Sequence, residues 1–403
     1  MSISDQGGVL RARSGAEERV TPLELFFDLV FVFALTQVTG FLSDRPTWLG
    51  MLQGGALLTA LWAAWGGYSW LTNAVPAEEV IPARLVIFCA MAAMFVASLA
   101  VPDAFGHYGV LFGSAYVVVW LLQVLLYVLA TGREPEQRRA MLRLAPGAVG
   151  GPVLLIVAGF LDGYAQGALW AVGLAIAYGV AFVRGVSGFR VHAGHFAERH
   201  GLIIIIALGE SIVAVGVGAS GVGLGPRVLV AVVLGIALAA ALWWAYFDLA
   251  MLTAERRLSA ARGEERARLA RDAYSLLHLP MVAGIIFAAL GIKQTLAHVG
   301  DPLGTIPAVA LCGGVALYLL GHNAFRLREE GSVSVPRLVV AVLCCVLIPV
   351  AKSVPSLITL AVPGVAAVRA GSLWDGDLTR VPARAQRAVE AAEHGLCTGV
   401  RGR

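Results

Sequence analysis

Glu24-Leu25-Phe26-Phe27-Asp28-Leu29-Val30-Phe31-Val32-Phe33-Ala34 opens the first long apolar run of the chain, and Ala197-Glu198-Arg199-His200-Gly201 leads through Ile203 to Ile206 into Leu208-Gly209-Glu210 in another. Both are apolar segments that carry ionisable residues at or near their start. About 20 apolar residues in a helix span a hydrocarbon core of roughly 30 Å. A charged group at mid-bilayer costs roughly 2.5 to 3.5 kcal/mol on insertion scales, so each such residue is a functional-site hypothesis.

The rest of the chain has the same character. Of its 403 residues, 58% are apolar and the mean hydropathy is +0.79, well above the soluble norm of about 45 to 50% apolar. A soluble two-domain enzyme could not bury so many separate stretches of bilayer length. The pattern reads as an all-α polytopic membrane protein of about twelve transmembrane helices. The windows fall near 23–42, 52–71, 84–101, 109–130, 142–161 and 165–183, then near 201–218, 228–251, 275–292, 306–325, 337–351 and 355–372. Pro355, Pro363 and Arg369 make the last the weakest. The first run has no small-residue cleavage site after it and reads as a retained span. Cys89, Cys312, Cys344, Cys345 and Cys397 have no ligand-type spacing, and the first four lie within apolar spans as small hydrophobes.

Lys and Arg orient the chain, because they concentrate in cytoplasmic loops. With the N-terminus inside, all but Arg45, Arg227, Lys293 and Lys352 of the 30 Lys and Arg fall on the cytoplasmic side. Both termini are therefore expected in the cytoplasm. A net charge of +4 adds nothing that calls for nucleic acid. The run Glu255 to Asp272 reads as a solvated linker.

The two halves share words in the same order. Leu29 to Leu35 parallels Leu202 to Leu208 at an offset of 173, which sets Gln37 opposite Glu210. Trp62, Trp65, Tyr68 and Trp70 are answered by Trp243, Trp244, Tyr246 and Phe247, and Arg143-Leu144 by Arg337-Leu338. The expected organisation is a cytoplasmic tail at 1–22, a six-span repeat at 23–183, a linker at 184–200, a second six-span repeat at 201–372 and a cytoplasmic tail at 373–403. Six spans bring each half into the bilayer in the same direction, a parallel repeat whose interface in transporters commonly holds substrate.

Glu24 and Asp28 are four apart and share a helix face, where two carboxylates disfavour simultaneous ionisation and suit a proton or cation. The plainer reading for Glu24, two residues past Pro22, is a headgroup position. Glu210 is expected about 18 Å below its helix start, near mid-bilayer, with Arg199 about 16 Å away along the axis and so no direct partner. His192, His195, Glu198, Arg199 and His200 form a dense polar stretch, yet it lacks the spacings that put two imidazoles on one helical face beside a base. It reads as a positioning or gating cluster before it reads as a metal site. Asp248 ends the second aromatic word and can be interfacial, while His278 and His322 can be packing histidines or members of a polar path. Gly216 to Gly225 has no Walker lysine after it and reads as close packing or a turn.

The two opening words, Glu24 to Ala34 and His195 to Glu210, in that order and in this hydropathy, resemble the bacterial low temperature requirement A family. The resemblance runs from about Pro22 to the last span. It implies a multi-pass protein of the bacterial plasma (inner) membrane connected with growth in the cold, with no catalytic residues to carry over.

The functional expectation is a secondary transporter or channel for an ion or small solute, with Glu24, Asp28, Gln37, Glu198, Arg199, Glu210, Asp248 and His278 along the path. Its partners are the lipid bilayer and a proton, cation or small solute; no cofactor and no metal are expected. The rivals are a membrane-embedded enzyme acting on a lipid-linked substrate through His195, Glu198 and His200, and a non-catalytic scaffold or sensor in cold or envelope stress.

Overall fold

The computed structural model describes residues 19–378 except 133, 221, 248 and 249, with side chains described except at 250, 252 and 368–378. Among the described residues the regular structure is helical. The helices are α1 (Pro22–Asp44), α2 (Trp48–Ala74), α3 (Ile81–Ala100), α4 (Gly109–Ala130), α5 (Pro135–Ala158), α6 (Gly163–Arg184), α7 (Ala193–Ser220), α8 (Pro226–Phe247), α9 (Ala250–Ala260), α10 (Gly263–Leu269), α11 (His278–Ala297), α12 (Thr305–Ala308), α13 (Gly314–Glu330), α14 (Val335–Val350) and α15 (Ser356–Leu378). Two π-helical stretches, Ala270–Leu276 and Val309–Gly313, join α10 to α11 and α12 to α13 into continuous rods.

Nine stretches among the described residues are long and apolar enough to cross a membrane, and the chain is a multi-pass membrane protein. They are α1, Ile81–Asp103, α4, α5, α6, α7, α8, Gly263–Ala297 and Thr305–Glu330. Helix α2 is 27 residues long but is not among them. Its Gln53, Ser69, Asn73 and glycines dilute its hydropathy, and its buried face is aromatic: Trp62, Trp65 and Tyr68. Helix α14 and the stretch Ser356–Ala367 are apolar but shorter. Apolar side chains such as Phe26, Leu29, Leu52, Val183 and Val346 stand exposed on the outside, as lipid-facing surfaces require.

Local sequence explains the helix starts. Thr21-Pro22-Leu23-Glu24 is a capping box with Pro in the first turn: Thr21 Oγ1 accepts from the Glu24 N–H, and the Glu24 carboxylate accepts from the Thr21 N–H at 2.8 Å. Thr47 caps α2 through the Gly50 N–H, and Pro82 and Pro135 sit in the first turns of α3 and α5. The sequence placed the seventh span near 201, but α7 starts at Ala193. Nothing after Gly194 breaks a helix. The polar first two turns escape a hydropathy window because protein, not hydrocarbon, surrounds them.

Helix α1 packs on α2 and α3, α3 on α4, α4 on α5, α5 on α6, and α2 on α4 and α6. In the second half α7 packs on α8 and α11, α11 on α13, α13 on α14, α14 on α15, and α8 on α15. Tyr116 of α4 donates to the Ala60 carbonyl of α2 at 2.6 Å, and Tyr318 of α13 donates to the Leu242 carbonyl of α8 at 2.6 Å. Close approach of α11 and α13 depends on two glycines: a Cβ on Gly284 would stand 2.5 Å from the Gly314 carbonyl oxygen. Small residues permit this contact where lipid supplies no hydrophobic drive between helices. The two halves meet along α1, α2, α7 and α11.

Candidate functional site

The first turns of α1 and α7 face each other and bring their ionisable residues into one buried layer. Arg199 Nη2 donates to Asp28 Oδ1 at 2.8 Å, and Arg199 Nη1 stands 3.3 Å from Glu24 Oε1. His195 Nε2 lies 3.0 Å from the Glu24 carboxylate. Helix α2 closes the layer: Trp65 Nε1 donates to Asp28 Oδ1 at 2.9 Å, and the Arg199 guanidinium lies over the Trp65 ring at 5.7 Å. Glu24, Asp28, His195, Arg199 and His200 are all buried, Arg199 and His200 completely.

The hydrogen bonds fix the His195 tautomer. Asn73 Oδ1 accepts the His192 backbone N–H at 2.9 Å, so its Nδ2 is the group that meets the His192 carbonyl and His195 Nδ1, each at 3.0 Å. Nδ1 of His195 therefore accepts, and Nε2 carries the hydrogen given to Glu24. With both carboxylates ionised, the layer holds two negative charges against the single positive charge of Arg199. Asp28 Oδ2 and Arg199 Nε have no hydrogen-bond partner among the described residues.

The layer extends sideways through aromatic rings. His200, whose Nδ1 donates to the Phe196 carbonyl at 2.8 Å, stands 5.0 Å from Trp65 and 5.1 Å from His278 between ring centroids. His278 Nδ1 meets the Ala273 carbonyl at 3.0 Å, which leaves Nε2 to accept from Tyr246 at 2.8 Å. Beyond Tyr246, Arg337 donates to His322 Nδ1 at 2.8 Å and to the Ala245 carbonyl at 3.0 Å. These groups lie where α1, α7, α11 and α14 begin and α2, α8 and α13 end, on one side of the molecule.

Glu210 belongs to the same α1–α7 interface but lies deeper. It is seventeen residues into α7, about 25 Å from the start at 1.5 Å per residue. Thr36 Oγ1 donates to Glu210 Oε2 at 2.7 Å, and the carboxylate is buried. The Glu24–His195 and Asp28–Arg199 pairs are each 171 residues apart in sequence, and Thr36–Glu210 is 174 apart. A nearly constant offset at two depths means that α1 and α7 run side by side in the same direction.

Five of the residues proposed from sequence thus lie at this interface or join it through rings: Glu24, Asp28, Arg199, Glu210 and His278. Gln37 is half-buried, and the hydroxyl that donates to Glu210 comes from its neighbour Thr36. Glu198 turns the other way and accepts the Val20 backbone N–H at 3.0 Å, holding the chain before α1. Asp248 lies outside the described residues. Asn73 meets the His192 backbone and the His195 ring while His200 turns to the Phe196 carbonyl, and no group of three His, Cys, Asp or Glu arranged to hold a metal occurs among the described residues. Trp65, Thr72, Asn73, Thr36 and Tyr246 were not foreseen. The repeat offset is the signal that pointed closest, since it set Asp28 opposite Gly201, two residues from Arg199.

The profile of the bacterial low temperature requirement A protein (LtrA) matches residues 19–371, nearly the whole described chain. The chain belongs to the LtrA family. An uncharacterized protein of Rhizobium meliloti (strain 1021) is 33% identical over 333 residues, covering 77% of this chain and 78% of the relative. No solved structure matches. The match begins immediately before the capping box and ends within α15, so the α1–α7 interface lies wholly inside the part that is LtrA-like.

Proposed function

We propose that this LtrA protein is a secondary transporter or channel for an ion or small solute, with its path along the α1–α7 interface. The observation that carries this reading is the charge imbalance of a buried layer: two carboxylates share one guanidinium, and a third carboxylate lies deeper between the same two helices. Such an arrangement takes up a proton or a cation to reach neutrality, and burying ionisable groups at this cost marks transport paths. The Arg199 layer acts as the closed inner gate and Glu210 as the coupling carboxylate.

The architecture proposed with it is two parallel six-helix repeats, 23–183 and 201–372, with both termini cytoplasmic, in the bacterial inner membrane. Support comes from the matching order of helix packing in the two halves, the paired Tyr116 and Tyr318 bonds, and the parallel course of α1 and α7. The test is ion flux into proteoliposomes under imposed proton and potassium gradients. Wild type is expected to carry one of these ions, and Glu210→Gln to insert normally and carry neither. Normal flux in Glu210→Gln sinks the assignment of Glu210.

A further inference from the structure

A half-open cavity of about 160 Å³ lies away from the α1–α7 interface, between α2, α4, α5, α6 and the π-helical stretch before α11. Its walls are aromatic, with Trp62 and Trp70 from α2, Trp120 from α4, Tyr178 from α6 and Phe189 after it. The size is that of a benzene ring: an engineered apolar cavity of about 150 Å³ binds benzene.

The polar groups are few and placed at its edge. Gln123, only 4% exposed, lines the cavity; its Nε2 donates to the Gly67 carbonyl at 3.1 Å, while its Oε1 has no hydrogen-bond partner among the described residues. A buried acceptor left in this state calls for a donor. Arg271 also lines the cavity; its Nε donates to Asp272 and its Nη1 to the Ala181 carbonyl at 3.1 Å. Its Nη2 meets Asp272 Oδ1 at 2.7 Å, and Asp272 Oδ2 accepts twice from Arg328, at 3.1 and 3.2 Å. Arg271 and Ser275 both come from the π-helical turn Ala270–Leu276, a distortion often found at functional sites. Ser275 ties the halves together, because Trp62 Nε1 donates to its carbonyl at 2.6 Å and Trp70 Nε1 to its hydroxyl at 2.9 Å.

We propose that this cavity binds a small aromatic acid bearing a ring hydroxyl, with the ring between the tryptophans, the carboxylate at Arg271 and the hydroxyl donating to Gln123 Oε1. The volume excludes a two-chain lipid, the Arg271 guanidinium in the lining disfavours an aromatic-box cation, and the unsatisfied acceptor selects a ligand that carries a donor. The site does not rest on the transport reading, and its test is an equilibrium measurement that flux does not enter.

The test is calorimetric titration of the purified full-length protein with para-hydroxybenzoate, benzoate and decanoate. Para-hydroxybenzoate is expected to bind saturably, and Arg271→Gln to weaken it by about tenfold or more, the loss of a charge-assisted contact. Benzoate should bind about fivefold more weakly, as one lost hydrogen bond implies, and Gln123→Leu should erase that difference. Gly66 lines the cavity, and a Cβ there would meet nothing within 4 Å, so Gly66→Leu fills the space without touching the backbone packing and should abolish binding. This variant keeps the test decisive if Arg271→Gln fails to fold. No binding of para-hydroxybenzoate, equal affinity in Gly66→Leu, or tighter binding of decanoate, which would mark an acyl-chain site, each overturns the proposal.

Discussion

The α1–α7 interface holds two polar layers built on opposite principles. At the ends where both helices begin, Arg199 sits among Asp28, Glu24, Trp65 and Thr72, and Asn73 fixes His195 from the other side. Deeper in, Glu210 meets the hydroxyls of Thr36 and Thr39, with Lys293 of α11 as the cation acting on it. The first layer is a network in which removal of Arg199 leaves two buried carboxylates with no cation between them. The second is a single carboxylate with little to hold it. A buried network resists change and a lone carboxylate exchanges its proton or partner easily, so the first suits a lock and the second a coupling site.

Removing the centre of the network is the sharpest way to break this contrast. Arg199→Met keeps an unbranched side chain of similar reach but strands Glu24 and Asp28 with no guanidinium. Losing one partner of a buried ion pair costs roughly 3 to 5 kcal/mol. Thermal unfolding in detergent should show a large drop in melting temperature for Arg199→Met and a small one for Glu210→Gln. Equal drops in the two variants would erase the distinction between lock and coupling site.

Sequence reading and structure agree where composition decides and diverge where contacts span the chain. Apolar windows of bilayer length met the nine stretches among the described residues that are long and apolar enough to cross a membrane, because lipid imposes that length on a span. The start of α7 was missed because His195, Arg199 and His200 count against a membrane span in any hydropathy average, although in the fold they touch α1 and α2 and not lipid. Glu24 and Asp28 were singled out as a carboxylate pair, since spacing of four is visible along one helix. Their shared Arg199 lies 171 residues away, and no local pattern reports it. The same limit hid Asn73, whose role comes from reaching His192 and His195 across more than a hundred residues.

Asn73 offers an intermediate test, directed at the rim of the first layer. Asn73→Ala removes the bonds to the His192 backbone and to His195 Nδ1, which frees the imidazole to change tautomer and turn from Glu24. Leaving such groups without this partner costs about 1 to 3 kcal/mol. The expected drop in unfolding temperature lies between those of Arg199→Met and Glu210→Gln. Nitrogen chemical shifts of labelled His195 should also move from the single Nε2-protonated form to a mixture. An unchanged tautomer would mean that Glu24 alone sets the ring, and the layer would be smaller than the geometry implies.

The smallest effect on stability is expected at Thr36, and there the contrast between the layers becomes most specific. Thr36→Val keeps the shape and deletes the hydroxyl that donates to Glu210 Oε2. Polar contacts between membrane helices average about 0.6 kcal/mol, so unfolding should hardly change. Flux is another matter if Glu210 couples transport, because the hydroxyl stabilises the ionised carboxylate and its loss favours the protonated form. Proton-driven flux in Thr36→Val should therefore fall off at a higher pH on the acid side than in wild type, while Arg199→Met shows no such displacement beyond its loss of folded protein. A profile that stays in place would leave Glu210 as a packing carboxylate and move the coupling role to Asp28, whose Oδ2 is a buried carboxylate oxygen without a hydrogen-bond partner among the described residues.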